Sequence, residues 1–519
     1  MKKYSFILLL GVVLSSCAGV RFKGEAIVLN TNNEIIPELS AVQKNQWALL
    51  DPLRDQIPGM SVKRAYSELI QDKKGEEVIV AIIDSGVDIT HPDLADAIWT
   101  NEDEIPNNQI DDDQNGYVDD VHGWNFLGDS ENENLEYIRL QKQKEIGSDA
   151  YQEYEEKRQE ERNKYKNRLA NVLFIKEQLP IARQRILTAL GSDEIDLDAA
   201  RAISPVTPEL SDAIRLVAYA QDVEITESLL EKALEQYQDA LDYHHNIDFE
   251  GRSIVGDDPD NLEDRVYGDP RVNGPEGANN DHGTHVSGIV AAKSVGVAKG
   301  AKIMALRAVP NGDEYDKDVA LAIRYAVDNG AKIINASFGK SYSAHAEWVQ
   351  DALLYADAKD VLFVHAAGND NENVNPNENP NFPDDFVNGQ EIADNVITVG
   401  ASSWKYSEDL ITSFSNFGNI NVDVFAPGYK IYSTVPSGGY ERFDGTSMAA
   451  PNVSGVAAVL RSFYPKYSAA KIKKIILQSG VPMYAKLNLH SGEEQHNPFY
   501  YSKTGRLVNL YNALLYASK

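Results

Sequence analysis

The amino-acid sequence predicts an α/β fold: a doubly wound, mostly parallel sheet interrupted by a large, mainly helical insertion. Three observations predict it. Val78 to Ile83 is a continuous apolar run rich in β-branched residues, which suits a strand buried on both faces. Strand-like and helix-like segments alternate between Lys302 and Ala426, as a parallel sheet with crossover helices requires. From about Asn132 to Asn246 glycine nearly vanishes, and Glu, Lys, Gln, Arg, Leu and Tyr take over with apolar residues at helical spacing.

In chain order, Lys2 and Lys3 precede an apolar run from Phe6 to Leu14 and then small residues, so 1–16 read as an export signal. The run is too short to span a bilayer. Cys17 is the only cysteine, which rules out an intramolecular disulfide. Leu14-Ser15-Ser16-Cys17 resembles the bacterial lipobox, and that resemblance implies cleavage before Cys17 and a lipid on its thiol. The expected location is then a bacterial cell-envelope membrane, the outer membrane first, with the protein facing the periplasm or the cell surface. A plain signal peptide with an incidental cysteine is the other reading. Residues 17–60 form the lipidated arm, with Trp47, Leu49 and Leu50 packed on the body. The first part of that body covers 61–130, the insertion 131–250, and the second part with a C-terminal extension 251–519. A formal net charge of −30 excludes nucleic acid and an anionic membrane face as partners.

Lys63 to Gln71 reads as a short helix, and the strand that follows ends at Asp84-Ser85-Gly86. Chemistry in open α/β sheets gathers at the carboxyl ends of strands, so Asp84 is a candidate, although a turn-capping role is the commoner fate of Asp-Ser-Gly. Asp111-Asp112-Asp113-Gln114-Asn115-Gly116-Tyr117-Val118-Asp119-Asp120 places oxygen side chains at alternate positions with a turn glycine, the first half of a calcium loop. Its ligands would be Asp111, Asp113, Asn115, the Tyr117 carbonyl and Asp119 or Asp120. His122 stands where the usual bidentate glutamate would be, so an acidic solvated turn is the rival reading.

Within the insertion, Tyr151 to Leu179 and Ile225 to Tyr243 read as helices. Pro180 should kink or end the first, while Pro205 and Pro208 mark a connection. His244-His245 reads as a surface pair. A Gly-, Asp-, Asn- and Pro-rich loop from Gly256 to Asn280 delivers His282-Gly283-Thr284-His285-Val286-Ser287-Gly288 at a helix start. His-x-x-His is also a zinc spacing, but neither a cysteine nor a further histidine stands nearby to complete such a site. Lys302 to Ala308, Lys332 to Ala336, Val361 to Ala366, Val396 to Ala401 and Val422 to Ala426 read as strands, with helices at Lys317 to Asn329 and Ala344 to Ala358. Asn369 follows the third of these strands and can project an amide donor. Last comes Gly445-Thr446-Ser447-Met448-Ala449-Ala450-Pro451, where a sharp glycine bend sets Ser447 at a helix start whose amides lack intrahelical partners. Ser447 is a nucleophile seat or an ordinary N-cap.

Asp84, His282, Asn369 and Ser447, each in its motif and in this order, resemble the subtilisin-like serine endopeptidases, the subtilase family. The match covers roughly Trp47 to Asn125 and Gly256 to Gly480. The resemblance implies a subtilisin-like sheet and hydrolysis of protein or peptide substrates through an acyl-enzyme. Ser447 would be the nucleophile, His282 the base and then acid, Asp84 its orienting carboxylate and Asn369 the side-chain oxyanion donor. It also implies that Ser337, Phe338 and Gly339, and Ala366, Ala367 and Gly368, are backbone edges that bind an extended substrate. Two departures stand out: Ala18 to about Met60 is short for the inhibitory prodomain of this family, and the helical insertion falls between Asp84 and His282, where it would restrict access or dock a partner. The rival from another class is a non-catalytic exported lipoprotein that uses the same scaffold to bind proteins.

Overall fold

Alternation along the first strand sets up the architecture. Val80 and Ile82 of β1 (Val78–Asp84) face one hydrophobic core, while Ala81 and Ile83 face a second on the opposite side. The computed structural model describes residues 20–376, 378–488 and 495–519, so the export-signal and lipid-anchor expectations, Cys17 included, fall outside the described residues. Around β1 the chain lays down β2 (Gly123–Asn125), β3 (Ala301–Arg307), β4 (Ile333–Ala336), β5 (Leu362–Ala366), β6 (Val396–Ser402) and β7 (Val424–Pro427). A hairpin, β8 (Ile431–Val435) and β9 (Gly439–Phe443), stands apart, and β10 (Val481–Pro482) and β11 (Arg506–Leu507) finish one edge. The nine-stranded sheet runs β10-β11-β7-β6-β5-β4-β1-β3-β2. Within it only β10 and β11 pair antiparallel, so the predicted doubly wound, mostly parallel sheet is what forms.

The helices are α1 (Glu136–Lys142), α2 (Asp149–Leu190), α3 (Pro208–Asp222), α4 (Glu227–Asp239), α5 (Asp281–Ala291), α6 (Asp316–Asp328), α7 (Ala346–Ala358), α8 (Thr446–Phe463), α9 (Ala469–Ser479) and α10 (Leu510–Ala517), besides shorter turns. Helices α5, α8, α9 and α10 bury their apolar faces in the first core, and α6 and α7 theirs in the second. After β1 the chain builds β3 on one side and then crosses to β4 on the other. This reversal is the switch point where open α/β sheets place their ligand sites, and Ile83 is in register with Ala336 there.

Two expectations about the insertion are corrected. Pro180 does not end the helix: α2 continues through it for 42 residues in all, about 63 Å at the helical rise. An interior proline costs about 3 kcal/mol, but Leu179, Ala182 and Ile186 pack against Leu210, Ala213, Ile214 and Val217 of α3. Burial of one such leucine or isoleucine contributes about 1.5–3 kcal/mol, so the small core around the proline outweighs it. Nor is His244-His245 a surface pair. His245 is buried, its Nδ1 lies 2.6 Å from the Tyr137 hydroxyl, and burial depresses its pKa to about 3. The apolar spacing of the helix gave no sign of this, because the aromatic partner lies more than a hundred residues away. Among the described residues no helix is long and apolar enough to cross a membrane.

Candidate active site

Asp84 closes β1 at its carboxyl end and is almost fully buried. Its Oδ1 accepts from Nδ1 of His282 at 2.7 Å and from the Ser85 amide at 2.8 Å. Its Oδ2 has no hydrogen-bond partner among the described residues. The glycines of HGTHVSG explain how α5 comes this close. A Cβ on Gly283 would stand 2.1 Å from the Gly86 carbonyl oxygen and 3.1 Å from Asp84 Oδ1, and one on Gly288 would stand 2.1 Å from the Thr434 hydroxyl of β8. Burial disfavours the protonated imidazole of His282, but the negative charge of Asp84 and the hydrogen bond to it outweigh that, and the pKa is raised. The ring is not sealed off, since 40% of the side chain remains accessible. His285, one turn on, has a different job. It is buried and stacked on Phe443, and its Nε2 lies 3.0 Å from the Ile431 carbonyl; burial lowers its pKa to about 3.

Ser447 is the second residue of α8, entered through Gly445 at φ 152°, a backbone that other residues rarely adopt. Ser447 and Ser337 hold each other. The Ser447 hydroxyl donates to the Ser337 carbonyl at 3.0 Å, and the Ser337 hydroxyl donates to the Ser447 carbonyl at 2.8 Å. Behind them Ser454 donates to Asn335 at 2.8 Å and Asn335 donates to Ser337 at 2.9 Å, a buried chain that fixes the start of α8 on β4. Ser337 follows Ala336, the register partner of Ile83, so Ser447 is bonded at the carboxyl end of the strand next to the one that Asp84 closes. The hydroxyl of Ser447 is turned to Ser337, and no hydrogen bond joins it to His282 in this structure.

Asn369 is exposed three residues beyond β5. Its Oδ1 accepts from the Thr446 amide at 2.9 Å and the Thr446 hydroxyl at 3.1 Å, which leaves the Nδ2 donor uncommitted beside the start of α8. Gly368, at φ 99°, makes the bend and has no room for a side chain, because Asn416 Nδ2 would lie 2.3 Å from its Cβ.

The two expected substrate edges differ. On the second, Asn381 Nδ2 donates to the carbonyls of Ala366 (3.2 Å) and Ala367 (3.0 Å). The Gly368 carbonyl accepts from the Asn416 amide at 2.9 Å, and the Gly368 amide donates to Thr446. That edge is already engaged within the protein by Asn381, Asn416 and Thr446. On the first edge the Ser337 and Phe338 carbonyls are taken by Ser447 and His365, but Gly339 is exposed and its backbone forms no hydrogen bond among the described residues. His365, Asn381 and Asn416 were missed by sequence reasoning. His365 is a lone polar residue in β5, while Asn381 and Asn416 lie in loops with other polar residues and no motif singles them out.

In the acidic loop, Asp111, Asp113 and Glu104 bring one carboxylate oxygen each within 4.8 Å of one another. Glu104, missed from sequence, comes from upstream, and its carboxylate also accepts the amides of Asp112, Asp113 and Asp119. Burial raises its pKa, and the charges of Asp120 and Asp113 add to the rise. Asp119 is not part of the group: its carboxylate caps the amides of Asn108 and Gln109, each at 3.0 Å. Asp120 is buried against Tyr325, and Asn115 bridges it to Asp113, its Nδ2 donating to Asp113 Oδ2 at 3.1 Å and to Asp120 Oδ2 at 2.9 Å. The Tyr117 ring packs on Trp124 and Tyr325.

Residues 75–497 match the model of the subtilase family. The thermophilic serine proteinase of Bacillus sp. (strain AK1) is 38% identical over 229 residues, 43% of this chain and 50% of that protein. Thermitase of Thermoactinomyces vulgaris is 40% identical over 190 residues, 35% of this chain and 62% of that one. Subtilisin-like protease 5 of Arthroderma gypseum (strain ATCC MYA-4604 / CBS 118893) is 36% identical over 229 residues, 42% and 50% of the two chains. The chain spans about half the length of the curated relatives it matches.

Proposed function

Because this chain belongs to the subtilase family, we propose that it is a serine endopeptidase that cleaves peptide bonds at Ser447 through an acyl-enzyme. One observation carries the reading: the Asp84–His282 bond of 2.7 Å stands at the switch point of the sheet beside the strand end that holds Ser447. The Ser447 oxygen attacks the substrate carbonyl carbon while its proton passes to Nε2 of His282, which Asp84 holds in the required tautomer through Nδ1. The new oxyanion is received by the Ser447 amide, free in the first turn of α8, and by Asn369 Nδ2. Collapse of the tetrahedral species expels the amine, which takes its proton from His282. Water then repeats the sequence to release the acid. The reading requires the hydroxyl to leave Ser337 for His282, a bond that forms late in many such sites. A fluorophosphonate probe tests it: the full chain should label and Ser447→Ala should not, with turnover on a tetrapeptide p-nitroanilide reduced on the order of 10⁶-fold. Absent labelling of the wild type would leave the scaffold reading instead.

Glu104, Asp111 and Asp113 fit a hard divalent cation, since they supply only oxygen donors and bring three carboxylates together, the Glu104 one buried. They would hold structural calcium, which stabilises the loop between β1 and β2. We further propose that the protein is exported and tethered to an envelope membrane through Cys17, on the strength of Lys2, Lys3 and the apolar run to Leu14. Detergent-phase partition lost in Cys17→Ala is the expected result; equal partition of both chains would refute it.

A further inference from the structure

Resting on the proteolytic reading of Ser447, we propose that the helical insertion is a latched arch over the cleft, which admits extended, unfolded polypeptide and excludes folded protein. The arch touches the strand-end loops on several sides of the site. At one side Asp239 and His244 meet Asn311, just beyond β3, at 2.7 and 3.1 Å. At another point Lys232 of α4 pairs with Glu441 of β9 at 2.6 Å, and the Glu441 carbonyl lies 3.2 Å from Nε2 of His285. Glu224, before α4, pairs with Lys430 at 3.6 Å, and the Lys430 amide is bound by Asp444 close to Ser447. Lys157 of α2 reaches the Tyr342 hydroxyl, three residues beyond Gly339, at 3.2 Å.

The two attachments of the arch are unequal. Its base is buried and tightly bonded: Asn134 Nδ2 donates to the Tyr243 carbonyl at 2.7 Å and the Asn246 carbonyl at 3.0 Å, and Arg162 donates to the Leu241 carbonyl at 2.8 Å. The strap that leads into it also fills a backbone edge of the body. The Asn311 amide donates to the Glu131 carbonyl at 2.8 Å, the Glu133 amide donates back at 3.0 Å, and a Cβ on Gly312 would stand 2.3 Å from Glu133 O. The far rim is held otherwise. Lys232 and Glu441 are 50% and 45% exposed, and of α4 only Leu230 is buried. Exposed ion pairs of this kind are weak and screened by salt. The arch is therefore fixed at its base and lightly fastened across the mouth, a geometry that passes a single extended chain along Gly339 and blocks a globular surface.

The test uses the full chain with three probes: a tetrapeptide p-nitroanilide, ribonuclease A reduced and carboxymethylated, and native ribonuclease A. Wild type should cleave the first two and be slow on the third. Lys232→Glu opposes Glu441 and should raise cleavage of the native protein by up to about fivefold, the range an exposed ion pair allows, with tetrapeptide turnover unchanged. Adding Glu441→Lys restores the pair with reversed sign and should return the native-protein rate to wild type. Raised salt should imitate Lys232→Glu in the wild type. Native ribonuclease cut by wild type as fast as its unfolded form, a Lys232→Glu effect shared by all three probes, or a double variant that stays open would each overturn the arch. A chain that neither labels with fluorophosphonate nor cleaves the tetrapeptide would overturn the proteolytic reading beneath it.

Discussion

At the scale of single residues, His282 sets how activity depends on pH. Its neutral form must accept the Ser447 proton, so activity is present above its pKa and lost as pH falls through it. The Asp84 charge and hydrogen bond prevail over burial and raise that pKa, which puts the acid limb of kcat/KM above 6.5, the ordinary histidine value. Asp84→Asn should lower turnown by about 10⁴-fold, and the limb of the remaining activity should move to lower pH. An unshifted limb, measured with a tetrapeptide p-nitroanilide, would mean that Asp84 does not govern this imidazole. Asp84, His282, Asn369 and Ser447 were legible because each sits among glycines that the geometry demands, as Gly283, Gly368 and Gly445 show. Asn416 was not. It is buried and accepts the amides of Asp370 and Glu372, each at 2.9 Å, yet its neighbours in sequence carry no sign of that task.

At the scale of elements, strands were readable wherever apolar runs were unbroken, and β1 and β6 begin at the residues the runs indicate. The β8–β9 hairpin was not, because Gly439–Phe443 is largely polar and is held by pairing and by the stacking of Phe443 on His285 rather than by burial. The acidic loop is the reverse case: its pattern announced oxygen ligands, but the chain brings Glu104 from outside the pattern. This gives a prediction for the loop as a unit. Three carboxylates held together without a cation repel one another, so calcium should raise the melting temperature by several degrees, in proportion to about 2.7 kcal/mol at a hundredfold excess over Kd. Glu104→Gln should abolish most of that calcium-dependent rise, as followed by calorimetry with and without chelator. Asp119→Asn should keep it, since the Asp119 carboxylate lies outside the cluster of Glu104, Asp111 and Asp113. Equal losses in the two variants would refute the ligand set.

At the scale of the whole molecule, the segments flanking the matched residues 75–497 close on each other. Phe22, Ile27 and Leu29 belong to the first core together with α10, and the Leu510 amide donates to the Met60 carbonyl at 2.9 Å. The Phe22 amide donates to the Ser518 hydroxyl at 2.8 Å, so the arm and the C-terminal helix form one buttress on the body. Asn512 is its clasp: Oδ1 accepts from the Ile27 amide at 2.8 Å, and Nδ2 donates to the Ile27 carbonyl at 3.0 Å. Both residues are buried, at 2% for Ile27 and 7% for Asn512, so neither backbone group would find water readily if the amide were removed. Each buried group left unpaired costs about 1–3 kcal/mol, and Asn512→Ala, which orphans two, should therefore destabilise the protein by about 2–6 kcal/mol. Guanidinium unfolding should show a lower midpoint at unchanged slope. Tetrapeptide turnover well below that midpoint separates two roles for the arm. A structural buttress leaves it unchanged, whereas an arm that restrains the active site, in place of a prodomain, would release activity when its clasp is cut.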